Sequence, residues 1–245
     1  MITGDADVAA VGALLAEPAR ARVLLALGDG RALPASMLAA EAGVSASTVS
    51  EHLKKLLDGG LVTVMKDGRY RYYRLAGAHV SELLEVMSRI APPQPVTSLR
   101  EGTKANALRR ARSCYNHIGG RLAVSVTGAF LHKGLLEGHD GSTELAWMGH
   151  ARAAGDALNP VAYTLTDAGA DALRDLGAEP PANRAVRCCV DWTEQRHHMA
   201  GEAGSVLLDR FRRLDWVRPG RHSRALVVTQ EGRAQLAERF GVTAE

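Results

Sequence analysis

A chain of 245 residues, 46% hydrophobic and only 4% aromatic, fits two compact domains better than one, at roughly 100–200 residues each. Its net charge of +3 is too small to announce a polyanionic partner, so any basic surface has to be local. The acidic start MITGDADVAA lacks the cationic segment of a secretory signal, and no run of about 18 apolar residues offers a membrane span. Three cysteines are too few for a disulfide framework, so a reducing cytoplasm is the expected setting.

Taken in chain order, residues 5–29 read as two helices broken at Glu17-Pro18, with Val8, Val11, Leu14 and Leu15 on one stripe and Val23, Leu24 and Leu27 on the next. A short helix over 36–42 and a turn at Gly43-Val44 lead into a helix that runs from Ser45 or Ala46 to Leu57 and stops at Gly59-Gly60. LVTVMKDGRYRYYRL (61–75) is rich in strand formers and split by Asp67-Gly68, a hairpin signal. Residues 78–90 return to helix, with Val80, Leu83, Leu84, Met87 and Ile90 on one face. Then APPQPVTSLREG (91–102) places three prolines in four positions and reads as a linker. The expected division is therefore 1–91, a linker at 92–102, and 103–245.

The second part carries an internal repeat. His117-Ile-Gly-Gly120 recurs 81 residues later as His198-Met-Ala-Gly201, and the same offset pairs Leu122 with Ala203, Val126 with Leu207 and Phe130 with Phe211. Steps of four residues make this one helical face, repeated. Further on, LTDAGADALRDLG (165–177) matches VTQEGRAQLAERFG (228–241). The first copy is longer by about 18 residues, placed within GHDGSTELAWMGHARAAGDALNP (138–160) as an expected surface loop. The expected fold class is thus mainly α with small β-wings: a winged helix-turn-helix domain, then an α-rich domain built from two repeats.

The helix over 45–57 has two faces. Val49, Leu53 and Leu56 share the core side, while Ser47, Thr48, Glu51 and Lys54 fall opposite, flanked by Lys55 and Ser50. Short hydroxyls allow close approach to base edges, Lys reaches phosphates, and Glu can accept from a cytosine amine. Residues 1–91 hold ten Lys and Arg against ten Asp and Glu, yet 54–74 hold Lys54, Lys55, Lys66, Arg69, Arg71 and Arg74 against Asp58 and Asp67. A local excess of four positive charges in a neutral domain is the form a phosphate-binding patch takes. Any surface helix is polar on its outer side, so it is the order of turn, helix and basic hairpin that carries the reading.

Residues 8–90 resemble the winged-helix domain of the ArsR family of bacterial transcriptional repressors. The resemblance rests on Glu17-Pro18-Ala19-Arg20 with Val23-Leu24, on Val44 to Leu53 (VSASTVSEHL), on Gly60-Leu61-Val62, and on Lys66-Asp67-Gly68-Arg69 leading to Tyr73-Arg74-Leu75. It implies a homodimer paired through the helices at about 5–16 and 78–90, with the recognition helix in the major groove of double-stranded operator DNA. On that resemblance Ser45, Ser47, Thr48, Ser50, Glu51 and His52 face DNA, supported by Lys54 and Lys55, with Lys66, Arg69 and Arg71 on the wing. For His52 a packed or capping side chain is the competing reading.

Family members sense metals through a Cys-x-Cys pair before the recognition helix or through His and carboxylates on the last dimer helix. Residues 34–44 contain no Cys, and His79 with Glu82 and Glu85 lacks a second His, so no metal site is assigned at either place. The expected signal receiver is the C-terminal part, where Arg112-Ser-Cys114-Tyr-Asn-His117 and Arg187-Cys188-Cys189-Val-Asp191-Trp192 precede His197-His198. If the repeats pack about a pseudo-twofold axis, Cys114, Tyr115, His117, Cys189, Trp192 and His198 either converge on one small-molecule pocket or lie at opposite ends, with Cys188 pointing away. Three thiols near imidazoles also suit a soft metal or metalloid, and they suit equally the ordinary fate of free Cys as small buried hydrophobes. No cofactor is assigned.

Enzyme signatures are missing: no Walker-type loop, no G-x-G-x-x-G after a strand, no H-E-x-x-H. Cys114 and His117 on one helix would imitate a nucleophile and base, but no orienting third group accompanies them. The sequence therefore describes a DNA-binding repressor released by an effector. The alternatives are a constitutive architectural DNA-binding protein, or a repressor responding to metal through Cys114, Cys188 and Cys189.

Overall fold

The computed structural model describes residues 5–92, 95, 98–138, 161–222 and 224–244, and they divide into two units, Met1–Leu84 and Glu85–Glu245. No helix among the described residues is long and apolar enough to cross a membrane.

The first unit runs α1 (Val8–Leu15), α2 (Pro18–Ala26), β1 (Leu33–Pro34), α3 (Ala35–Ala42), α4 (Ala46–Asp58), β2 (Val62–Asp67) and β3 (Tyr70–Leu75), then enters α5 (Ala78–Ile90), which crosses the unit boundary. Pro18 opens α2, and Glu17 caps it by accepting from the Arg20 N–H at 2.8 Å. The strands form an antiparallel sheet of order β1-β3-β2, and the wing closes through the two-residue loop Gly68-Arg69. Val23, Leu24, Leu27, Leu38, Val49, Leu53 and Leu56 fill the core, joined by Val80 and Leu84 from α5. Leu15 and Leu84, from the apolar stripes of α1 and α5, belong to this core, while Val8 on α1 and Met87 and Ile90 on α5 stay exposed.

The second unit continues with α6 (Leu99–Arg110), β4 (Arg112–Cys114), β5 (His117–Gly119), α7 (Arg121–His132), β6 (Leu136–Gly138), β7 (Val161–Leu165), α8 (Asp167–Asp175), β8 (Ala185–Val190), β9 (His197–Ala200), α9 (Gly201–Arg213), β10 (Val217–Pro219), β11 (Leu226–Val228) and α10 (Gln230–Phe240). The segment expected as a linker over 92–102 is helical from Leu99, because Ser98 accepts from the Glu101 N–H and starts α6. The 18-residue excess of the first repeat falls on 139–160, outside the described residues.

Each repeat proves to be hairpin–helix–hairpin–helix rather than a helix pair alone. The first is β4-β5-α7-β6-β7-α8 and the second β8-β9-α9-β10-β11-α10. The repeats exchange hairpins. The antiparallel sheet β6-β7-β8-β9 joins the wing of the first repeat to the leading hairpin of the second. Its counterpart sets β11 beside β4, through the Arg112–Ala225 bridge and the bonds Ser113 N–H to Arg224 O (2.7 Å) and Leu226 N–H to Ala111 O (2.9 Å). Between them the apolar faces expected from the offset of 81 meet in one core: Leu122, Val126 and Phe130 from α7, and Ala203, Leu207 and Phe211 from α9.

The last helix of each repeat starts alike. Thr166 and Thr229 cap α8 and α10 by accepting from the N–H of Gly169 and Gly232. A Cβ on either glycine would collide with a backbone carbonyl, Leu135 O or Trp216 O respectively. Gly232→Ala should therefore destabilise the protein by about 1–3 kcal/mol, as overpacking does. Gly128→Ala, in mid-α7 with open space around its Cα, should stabilise it by about 0.5–1 kcal/mol. Urea denaturation of both variants checks this; equal effects of one sign would contradict the packing described.

Candidate functional site

The first unit displays the polar face of α4 beside the wing. Ser45 is the N-cap of α4: its Oγ accepts from the Thr48 N–H (3.1 Å) and lies 2.9 Å from Ser47 Oγ and 2.8 Å from Thr48 Oγ1. Ser50 donates to Ala46 O at 2.8 Å. Ser45 and Ser50, expected to face DNA, thus spend a hydroxyl bond on the helix itself, as short polar side chains near a helix start do. Ser47, Glu51, Lys54 and Lys55 are exposed and Thr48 half-buried. Lys54 is paired with Asp58 at 3.0 Å, which leaves Lys55 the freer cation of the two.

His52 departs from the expectation. Its side chain is only 13% exposed and its Nε2 lies 3.6 Å from Glu17 Oε2 at the start of α2. Position 52 flanks the stripe of Val49, Leu53 and Leu56, so the ring turns inward with that stripe instead of outward with Glu51.

On the wing, Lys66, Arg69 and Arg71 are exposed, and Lys66 stands directly across from Arg71 in the β2–β3 register. Like charges directly opposite destabilise a hairpin, and a polyanion between them removes the penalty. Arg69 at the loop packs over the Tyr70 ring, 5.8 Å to its centroid. Arg74, outside the expected set, is also exposed and donates to Thr63 Oγ1 at 3.3 Å.

The second unit gathers four of the six residues expected around a pocket. Cys114 and His117 face each other across the β4–β5 register, and Cys189 and His198 do so across β8–β9. The two hairpins meet so that one donor atom from each of the four residues lies within 4.8 Å of all the others. Their exposures run from 0% to 8%. Cys114 and His117 stand on two strands, not one helix, because the loop Tyr115-Asn116 reverses the chain, with Tyr115 at φ +54°. Tyr115 sits half-buried in that loop, and the half-buried Trp192 instead faces Arg112, whose guanidinium lies 4.8 Å from the ring centroid. Neither supplies a donor to the cluster. Cys188 lies on the other face of β8, opposite Met199 in the main apolar core, and burial pushes its thiol up to about 12.

A buried charge cluster adjoins. Arg112, 1% exposed, donates to Asp191 Oδ2 at 2.8 Å, and the same oxygen accepts from the Gly120 N–H at 2.6 Å. Gly120 holds φ +84° at the junction of β5 and α7, and a Cβ there would press on Arg109 O. Asp191 Oδ1 accepts from Thr193 N–H, Thr193 Oγ and the Glu194 N–H. Burial works against the Asp191 charge, but Arg112 and His198 nearby, with the Thr193 and Gly120 bonds, hold its carboxyl well below the usual range. Glu85 lies 3.8 Å from Arg112 and accepts from Arg224 at 2.8 Å. Sequence patterning did not connect Arg112, Asp191 and Glu85, since one charge each on a short strand, after a strand and on a helix carries no periodic signal of a long-range pairing.

A turn, a helix with an exposed hydroxyl and cationic face, and a basic two-stranded wing on a small helical core define a winged-helix DNA-binding transcriptional regulator. Residues 15–64 match a helix-turn-helix domain family. Along nearly its whole length the chain is similar to YdfF of Bacillus subtilis, described as an uncharacterized HTH-type transcriptional regulator: 34% identity over 241 residues, 96% of this chain and 98% of that one. The HTH-type transcriptional regulator CmtR of Mycobacterium tuberculosis is 38% identical over 100 residues, 39% of this chain and 84% of its own. Among solved structures, the NMR structure of the cadmium metal-sensor CmtR aligns at 37% identity over 38% of this chain and 100% of that one, with a TM-score of 0.30. The protein belongs to the ArsR family of winged-helix transcriptional regulators.

Because the Arg112 guanidinium is the ion-pair partner of a carboxylate with no exposure, Arg112→Met should cost about 3–5 kcal/mol, the usual result of stranding a buried charge. Chemical denaturation of the full chain measures it; a loss below about 1 kcal/mol would mean the pair is solvated or dispensable.

Proposed function

We propose that this regulator represses transcription by binding operator DNA as a homodimer in the cytoplasm, with α4 reading the major groove, and that its second unit receives the signal that releases it. The observation that carries the reading is the shared exposure of Ser47, Glu51 and Lys55 on α4 and of the opposed Lys66–Arg71 pair on the wing. Short hydroxyls and a carboxylate contact base edges, whereas the cations contact phosphates that carry no sequence information. Val8 on α1 and Met87 and Ile90 on α5 are apolar and exposed, which fits burial against a second copy on the helices where the family resemblance places the dimer. Two recognition helices about 34 Å apart would read half-sites one duplex turn apart. The role is regulatory, not enzymatic.

The groups separate by assay. Lys66→Ala and Arg71→Ala should weaken binding to operator and unrelated DNA alike, each lowering the slope of log K against log salt by about one. Ser47→Ala and Glu51→Ala should reduce discrimination between operator and unrelated DNA, on the order of 1–3 kcal/mol for each hydrogen bond to a base edge that is removed. An unchanged salt slope in the wing variants would place the wing off the DNA. Equal weakening on both DNAs in the α4 variants would make that face a positioning surface only. Operator affinity that no small molecule or metal alters would favour a constitutive binder.

A further inference from the structure

We propose that Cys114, His117, Cys189 and His198 bind one divalent cation of the zinc class, forming a closed site of two sulfurs and two nitrogens that ties the two repeats together. The proposal is independent of how the first unit reads DNA.

The geometry comes first. Each repeat contributes one Cys and one His, set across from one another on its leading hairpin, and the hairpins meet with their donors together. The imidazoles approach through Nε2, 3.2 Å apart. Tetrahedral coordination with metal–nitrogen bonds of about 2.0–2.1 Å and metal–sulfur bonds of about 2.3 Å separates the donors by about 3.3–3.8 Å. All donor separations here lie within 4.8 Å, so only a small inward movement closes the shell.

The surrounding atoms point the same way. His117 Nδ1 lies 3.3 Å from Asn116 Oδ1, and His198 Nδ1, which has no hydrogen-bond partner, lies 3.6 Å from Asp191 Oδ2. Each ring thus turns one nitrogen toward an oxygen and the other into the cluster, the arrangement by which a carboxylate or amide orients a metal-binding imidazole. With both Nδ1 atoms protonated toward oxygen, both Nε2 lone pairs are turned into the cluster, whereas without an ion one ring in the other tautomer donates to its neighbour across the same 3.2 Å. A cation takes both lone pairs in place of that hydrogen bond. Asp191 is itself fixed by Arg112, the Gly120 N–H and Thr193, so its oxygen is held in place before any ion arrives.

Charge and protonation are consistent with this. Two thiolates neutralise a dication, so the occupied site buries no net charge. Coordination takes imidazoles in the neutral form and cysteines as thiolates, so uptake of the ion displaces the two thiol protons. Cys188 is the internal contrast. It is a buried thiol on the other face of β8, opposite Met199 and packed in the apolar core, the usual place of a structural cysteine. Because four protein donors fill the shell and none is exposed, the site leaves no position for substrate and acts as a clamp.

The test uses the full chain purified under thiol reductant, with Zn²⁺ and Co²⁺ as probes. Elemental analysis should find one zinc-class ion per chain, or one taken up on refolding with Zn²⁺. The Co²⁺ form should show the visible bands and sulfur-to-metal charge transfer of a tetrahedral thiolate–imidazole centre. Cys114→Ser with Cys189→Ser should abolish uptake, while Cys188→Ser keeps one equivalent. Should the double variant fail to fold, His117→Cys decides: it should keep one equivalent with stronger sulfur charge transfer. The proposal is overturned if the wild type neither holds nor takes up the ion, if the double variant binds it equally, if His117→Cys leaves the spectrum unchanged, or if Cys114 and Cys189 are found joined in a disulfide instead.

Discussion

The second unit depends on the buried pairing of Arg112 with Asp191. Arg112 sits on the leading strand of the first repeat and Asp191 at the end of the corresponding hairpin strand of the second, and neither has appreciable contact with solvent. One carboxylate takes the guanidinium, the first N–H at the α7 junction and the loop that follows β8. A buried ion pair adds little net stability over an apolar contact, but separating it is costly, so it favours one register of the two hairpins over any shifted one. With the register fixed, Cys114 and His117 arrive opposite Cys189 and His198.

Hairpin exchange explains why the repeats form a single body. Three-residue strands are short of the length at which a two-stranded hairpin is stable alone. Here the wing of each repeat adds its edge to the leading hairpin of the other, and α7 and α9 bury Phe130 and Phe211 in the shared core. A pseudo-symmetric seam brings equivalent residues together, which is how two histidines separated by 81 positions come into contact.

The first unit was legible because its signals are local and repeated. The stripe of Val49, Leu53 and Leu56, the proline at the start of α2 and the glycine in the wing each state a periodicity or a backbone preference. His52 was ambiguous because it lies at the edge of that stripe, where only the presence of Glu17 decides the side. In the second unit the helical faces were legible from their four-residue steps, but the strands were not. Cys114 and His117 are three apart, a helical spacing, and only the turn at Tyr115-Asn116 reveals a hairpin. The pairings of Arg112 with Asp191 and of the two hairpins are long-range, and single-residue signals do not encode them. The spacing from Cys189 to His198, six residues longer than that from Cys114 to His117, further hid the equivalence of the two pairs.

One chain therefore carries a DNA-reading winged helix and a duplicated unit whose seam concentrates its polar chemistry around four metal donors. X-ray absorption at the metal edge, on the full chain loaded with one equivalent of Zn²⁺, tests that seam most directly. Two sulfur scatterers at about 2.3 Å and two imidazole nitrogens at about 2.0–2.1 Å are the shell the two meeting hairpins predict. A shell of nitrogen and oxygen alone, or one with a single sulfur, would contradict it.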